Sequence, residues 1–201
     1  MKLKQFKPKK ALYVYGSLVL LLVLTLGVTF ATFTDTLDFG GAMFSVANSE
    51  VKLLDAIGGG IDPSNLVDSK PGPQFDNVAG GWFADYPVEI YSNATTDVNL
   101  WSWANYEDVA VNDPAELRQY IYVEILDWTD ANGDGMPEQS EFGSSYGRKT
   151  ILKWNTEGID LGTLSPGEVR SLALRFSVDS LSNAKQGESL LYDFEFEALG
   201  L

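Results

Sequence analysis

The chain has 201 residues, 45% hydrophobic and 12% aromatic. That is enough for one folded domain plus a targeting segment, and too apolar for wholesale disorder. It contains no cysteine and no histidine, which excludes disulfides, thiolate chemistry, a Ser-His-Asp hydrolase and a HExxH protease. The net charge is −14, and five of the 14 basic residues (Lys2, Lys4, Lys7, Lys9 and Lys10) precede residue 31, leaving nine to face all 28 acids; such a surface repels nucleic-acid phosphates, suits cations and keeps a secreted protein soluble.

The lysine-rich start is followed by an uncharged run from Ala11 to Thr34, with "LVLLLVLTLGV" at its centre. A basic region, an apolar region and small residues at Thr29 and Ala31 read as a secretory signal, residues 1–31, cleaved before Thr32. Two alternatives remain open. The same run is long enough to stay in a bilayer as an anchor, and "KKALYVYG" has the form of a prepilin-peptidase site. Residues 32–41 then form an extended segment and a Gly40–Gly41 link, and residues 42–201 the folded domain.

Beyond the leader the pattern is mostly β. The region 56–81 is rich in Gly, Pro, Asp and Asn and reads as a long surface loop. "YPVEIYS" (Tyr86 to Ser92), "VNLWSWANY" (Val98 to Tyr106) and "YIYVEILDW" (Tyr120 to Trp128) read as strands. Between the last two, "NDPAELRQ" predicts a short helix: Asp113 is a natural N-cap, Pro114 suits the first turn, and Glu116 stands where a capping box wants an acid. In "RSLALRFSV", Leu172, Leu174, Phe176 and Val178 share one face. In "SLLYDFEFEAL", Leu190, Tyr192, Phe194, Phe196 and Ala198 alternate with Asp193, Glu195 and Glu197, the mark of a half-buried strand. The expected fold is all-β, an antiparallel sandwich with one short helix.

Asp130 to Glu141, "DANGDGMPEQSE", has the order of oxygen donors found in an EF-type calcium loop. Ligand positions 1, 3, 5, 7, 9 and 12 fall on Asp130, Asn132, Asp134, the Met136 carbonyl, Glu138 and Glu141, with Gly135 at the turn. Hard oxygen donors favour calcium over zinc or copper. The flanks are not helical and there is no second loop, so the expectation is a structural clip rather than a sensor. A metal-free acidic turn is the alternative, since Asn-Gly and Asp-Gly are turn signals in their own right. Asn93 opens an N-glycosylation sequon, "NAT". Trp101 and Trp103 share a strand face, where core packing competes with sugar binding or a subunit contact.

Three stretches resemble the TasA/camelysin family of secreted fibre-forming proteins, which includes archaeal bundling pilins: "GVTFATFTDTLDFGGAMFSVANSEVKLLD", "KPGPQFDNVAGGWFADYPVEIYSNATTDVNLW" and "LSPGEVRSLALRFSVDSLSNAKQGESLLYDFEFEAL". The third, with Asn183, Gln186, Gly187 and the closing alternating strand, is the most specific. The long loop at 56–81 and the acidic loop depart from the family pattern. The resemblance implies a jelly-roll sandwich that polymerises outside the cell or at its surface, each subunit donating its N-terminal strand to a neighbour. The partners are then other copies of the chain and neighbouring filaments, with the membrane touched only through an uncleaved leader. Some relatives are described as metalloproteases, but without histidine no zinc site of that kind can be assembled here, and no enzyme is expected. Physically, Phe33, Leu37 and Phe39 form an apolar row that can complete a sheet edge; the same segment can equally be the protein's own first strand. A calcium-dependent adhesin or a membrane-anchored surface protein is the second functional reading.

Overall fold

The structure, a computed structural model, describes residues 37–48, 50–105, 113, 115–182, 185 and 188–201. The leader, the cleavage site, Phe33, Asn183, Gln186 and Gly187 lie outside the described residues. In chain order the strands are β1 (Leu37–Val46), β2 (Val51–Leu54), β3 (Leu66–Val67), β4 (Ser69–Pro71), β5 (Phe75–Val78), β6 (Trp82–Ser92), β7 (Val98–Asn105), β8 (Ile121–Trp128) and β9 (Phe142–Thr150). A short helix α1 (Ile151–Glu157) follows, then β10 (Ile159–Leu164), β11 (Val169–Val178) and β12 (Ser189–Gly200).

Main-chain hydrogen bonding joins these strands into two sheets, and alternation of apolar and polar side chains turns one face of each toward the other. Sheet A runs β10-β7-β12-β1-β4, with β5 also beside β1; sheet B runs β3-β2-β6-β11-β8-β9. The inward row of β12 (Leu190, Tyr192, Phe194, Phe196, Ala198) faces that of β11 (Leu172, Leu174, Phe176, Val178), and all nine side chains are buried in one core. Phe176 meets Phe194 edge-on at 6.3 Å, and Tyr192 meets Phe194 at 5.7 Å. Full burial of a side chain of this size contributes about 1.5–3 kcal/mol, so these two strands anchor the sandwich. Tyr192 lies wholly inside, and burial raises its hydroxyl pKa well above the ordinary value.

The architecture differs from the expected one in three places. First, the sandwich is not wholly antiparallel: β1 runs parallel to β12, from Asp38 opposite Ser189 to Val46 opposite Phe196. Alternation assigns faces, not neighbours, so this pairing leaves no local trace. Second, the expected helix does not form in the described part of its range, 113 and 115–119, where a 3-10 turn at Leu117–Gln119 stands instead. Glu116 takes a positive φ of 56°, and the buried Asp113 carboxylate accepts from the Leu117 and Arg118 amides and from the Arg118 guanidinium. Those bonds hold a tight turn in place of a helical path. Among the described residues the α-helix is α1, capped at its start by the Thr150 hydroxyl and at its end by Gly158. Its buried Ile151 and Trp154, spaced i and i+3, close the gap between the sheets. Trp154 Nε1 donates to the Val123 carbonyl in β8 (2.9 Å), and Asn155 Nδ2 donates to the Ala104 carbonyl in β7 (2.9 Å). Third, 56–81 is not one surface loop, because it contributes β3, β4 and β5. Lys70 of β4 is buried, with Nζ donating to the Leu54 carbonyl at 2.8 Å.

A second, small apolar cluster lies on the far face of sheet B. Leu126, Trp128 and Ala173 are buried there beneath Ile57 and Phe142. Ala173 is flanked in β11 by Leu172 and Leu174 of the main core, so it points the other way. Something outside the sandwich must therefore cover it, and that cover is formed by Ile57, in the loop after β2, and by Phe142, at the start of β9 where the acidic loop ends.

Candidate functional site

The acidic loop connects β8 to β9. It is wound around its own carboxylates. Asp130 Oδ1 accepts from the Gly133 amide (2.9 Å) and the Asp134 amide (3.1 Å), and its Oδ2 from Gly135 (3.0 Å). Asn132 Oδ1 accepts from the Asp134 amide at 2.9 Å, and Asp134 Oδ1 from the Met136 amide at 2.8 Å. These are successive Asx turns, the local geometry short polar side chains favour. Gly135, at φ 71°, sits where a side chain would be strained. A Cβ there would also meet Ile57 of the loop after β2 at 3.9 Å, so the two segments lie close together.

Glu141 ties the loop to the sheet. Its Oε1 accepts from the amides of Ala131 (3.0 Å) and Asn132 (3.3 Å), and its Oε2 from Trp128 Nε1 (3.1 Å) and the Glu138 amide (3.3 Å). The Trp128 bond, then the amides of Asn132, Ala131 and Glu138, hold the Glu141 carboxyl below its ordinary pKa against a smaller cost of burial. Phe142, the next residue, packs onto the Trp128 cluster.

All six positions of the expected ligand set therefore lie in one described loop, but their oxygens turn mainly toward main-chain amides. Among the described residues no three acidic side chains converge as a ready-made metal cage. The donor chemistry still fits a hard cation. A carboxylate offers about four lone-pair positions; Asp130 uses three and Asp134 two. Glu141 has filled its four, so it would reach a cation only by releasing a donor. Glu138 and Met136 are exposed at the loop's rim.

The expected polymerisation residues fall elsewhere. Leu37 and Phe39 begin β1, where Leu37 pairs with Val78 and Phe39 with Phe75 of β5. On the other side Phe39 pairs with Leu190 of β12. A register shift between Phe39 and Gly41 marks a bulge, so the Gly40–Gly41 pair lies inside a continuous strand. Thus β1 is an interior strand, with β12 on one side and β4 and β5 on the other. Asn93 is exposed in the turn between β6 and β7. Trp101 and Trp103 lie half-buried on the outer face of sheet A, rings stacked at 5.7 Å and 16°. Glu195 and Glu197 stand opposite Trp103 and Trp101 on β12.

Composition concealed a further feature, since the chain is so acidic overall. On the outer face of sheet B, Asp85, Arg175, Glu124 and Arg148 are cross-strand partners, one residue from each of four strands. They make a row of alternating sign. Partners on different strands cannot be recognised before the register is known, although the alternation within each strand hints at the face. Among the described residues no helix is long and apolar enough to cross a membrane. No protein-family model matches the chain, and no curated protein matches it.

Proposed function

We propose that the chain is a structural subunit of an extracellular filament, a bundling pilus or biofilm-matrix fibre, assembled by exchange of its N-terminal strand. The observation that carries this reading is the position of β1. Its first residues fill an interior slot of sheet A, between β12 and β5. A strand that leaves such a slot exposes two ladders of main-chain donors and acceptors, which the equivalent segment of a second copy can satisfy. Passed head to tail, that exchange does not close on itself and grows a fibre. The resemblance to TasA/camelysin proteins supports the same reading and adds secretion behind the leader. An acidic surface suits the extracellular setting and disfavours nucleic acid.

In this reading calcium serves the acidic loop as a structural clip. Asp130, Asn132, Asp134, the Met136 carbonyl, Glu138 and Glu141 would hold it, and its charge would offset the repulsion among their carboxylates. A calcium-dependent adhesin is the second reading, favoured by the same loop standing over an open pocket on sheet B. Electron microscopy of the purified chain with and without Thr32 to Phe39 separates the two. Fibres that depend on this segment support the filament, whereas monodisperse particles from both forms favour the adhesin.

A further inference from the structure

We propose that the pocket on the outer face of sheet B binds a uronic-acid unit, a sugar ring bearing one carboxylate, within a largely neutral polysaccharide. The pocket holds about 350 Å³, room for a sugar unit rather than a protein surface. Two of its walls are guanidinium groups already fixed in place. Arg175 is bound in a fork by Asp85 (2.8 and 3.0 Å) and lies between the rings of Phe83 and Phe142, at 5.2 and 5.0 Å. Arg148 lies 3.9 Å over the Tyr122 ring and donates to Ser177 (3.1 Å) and Asp179 (2.6 Å). Neither side chain has to be ordered on binding, which removes much of the usual cost of recruiting a long flexible cation. Both keep N–H groups in hand: the bonds just described, with one from Arg175 Nη2 to Gln139, use Nε and Nη2 of Arg175 and only Nη2 of Arg148.

The charge of the ligand follows from what surrounds those donors. Asp85 and Asp179 each pair with one arginine, and Glu124 stands between the two in the row, so the site has no surplus positive charge and repels a dianion such as phosphate; a single carboxylate would be held by the directed N–H groups that remain rather than by net charge. The rest of the ligand follows from Phe83. It is 61% exposed, unusual for a large apolar side chain, and it stands at the pocket wall. An aromatic ring beside hydrogen-bonding groups is suited to the C–H face and hydroxyls of a sugar. Gln139, Ser177 and Asp179 supply acceptors for those hydroxyls. The net charge of −14 works against a dense polyanion, hence a single acidic unit among neutral ones. Gln139 belongs to the acidic loop, so the loop's closure forms one wall of the site.

The test is titration of the purified chain with methyl glucuronide, methyl glucoside, acetate, inorganic phosphate and a short glutamate peptide, followed by calorimetry and amide chemical shifts. The glucuronide is expected to bind at least tenfold more tightly than any of the others, with the Gln139 and Ser177 amides shifting. Phe83→Ser and Arg148→Gln each weaken it at least tenfold while the melting temperature holds. Phe83→Ser keeps the test valid if the arginine variant folds poorly. Equal affinity for the glucoside, acetate or phosphate overturns the proposal, as does tighter binding of the peptide or no saturable binding. The readout needs no fibres, so its failure is separate from failure of the filament reading.

Discussion

Asp113 carries a structural load out of proportion to its size. Its carboxylate is fully buried and faces the Arg118 guanidinium at 2.8 Å. Removing it takes the acceptor from the Leu117 and Arg118 amides and one partner from the Arg118 guanidinium, which keeps Glu116 at 3.7 Å, and leaving such buried donors unsatisfied costs about 1–3 kcal/mol. Asp113→Ala is therefore expected to lose about that much in urea unfolding; a loss below about 1 kcal/mol would contradict the assigned role. Glu141 gives a pH signature instead. Its folded-state pKa is depressed, first by Trp128. Its contribution is present above the unfolded value of about 4.3 and fades as pH falls through the lower folded value. The melting-temperature gap between the parent and Glu141→Gln is thus expected to close as pH drops below the ordinary carboxylate range. A gap that is constant with pH would mean that the charge is irrelevant. The same bond gives calcium a reporter: if the cation draws Glu141 inward, the Trp128 indole N–H resonance shifts on titration, and Glu141→Gln abolishes the shift.

At the level of elements, the acidic loop and α1 make contrasting cases. The loop was legible because its ligand order is written contiguously, and its turns follow from Asn, Asp and Gly chemistry. That its carboxylates turn to amides was not legible, since this depends on where Trp128 and the neighbouring loop lie. Saturating calcium a hundredfold above its dissociation constant would add about 2.7 kcal/mol, so the melting temperature is expected to rise with millimolar calcium and fall with chelator. Asp130→Ala with Glu141→Ala is expected to remove the response; identical curves under all conditions would exclude a stabilising metal. The long alternating strands β11 and β12 were readable because one face of each is buried. Helix α1 was hidden, being seven residues long and following directly on β9. Its signals, Thr150, the Ile151–Trp154 spacing and Gly158, are each common alone. Gly158 has φ 58°, and a Cβ there would fall 2.5 Å from the Trp103 ring. Gly158→Ala is expected to cost about 1–3 kcal/mol and to disturb the Trp101–Trp103 stack, visible in near-ultraviolet circular dichroism. A variant as stable as the parent would show that the backbone there adapts freely.

For the whole molecule, the decisive experiment concerns β1. That Leu37 and Phe39 belong to an extended segment was readable, but its interior place and parallel direction were not, because the partner strand lies far along the sequence. If the filament reading holds, deleting Thr32 to Phe39, or changing Phe33→Asp with Leu37→Asp, gives folded, soluble monomers that bind a synthetic peptide of the missing segment. Normal fibres from the truncated chain would end the donor-strand idea.

The β1–β12 pairing also sets an order of events at synthesis. A ribosome adds about 5–20 residues per second, and β1 leaves it long before its partner exists. Only when β12 emerges can the centre of sheet A form, so the apolar residues of β1 and β7 lack their β12 partner until residues 189–200 have been made. Pairing across so long a separation is slow. Until then sheet A stays incomplete, and if the chain is exported, as proposed, an incomplete sheet is the easier state to pass through a narrow channel.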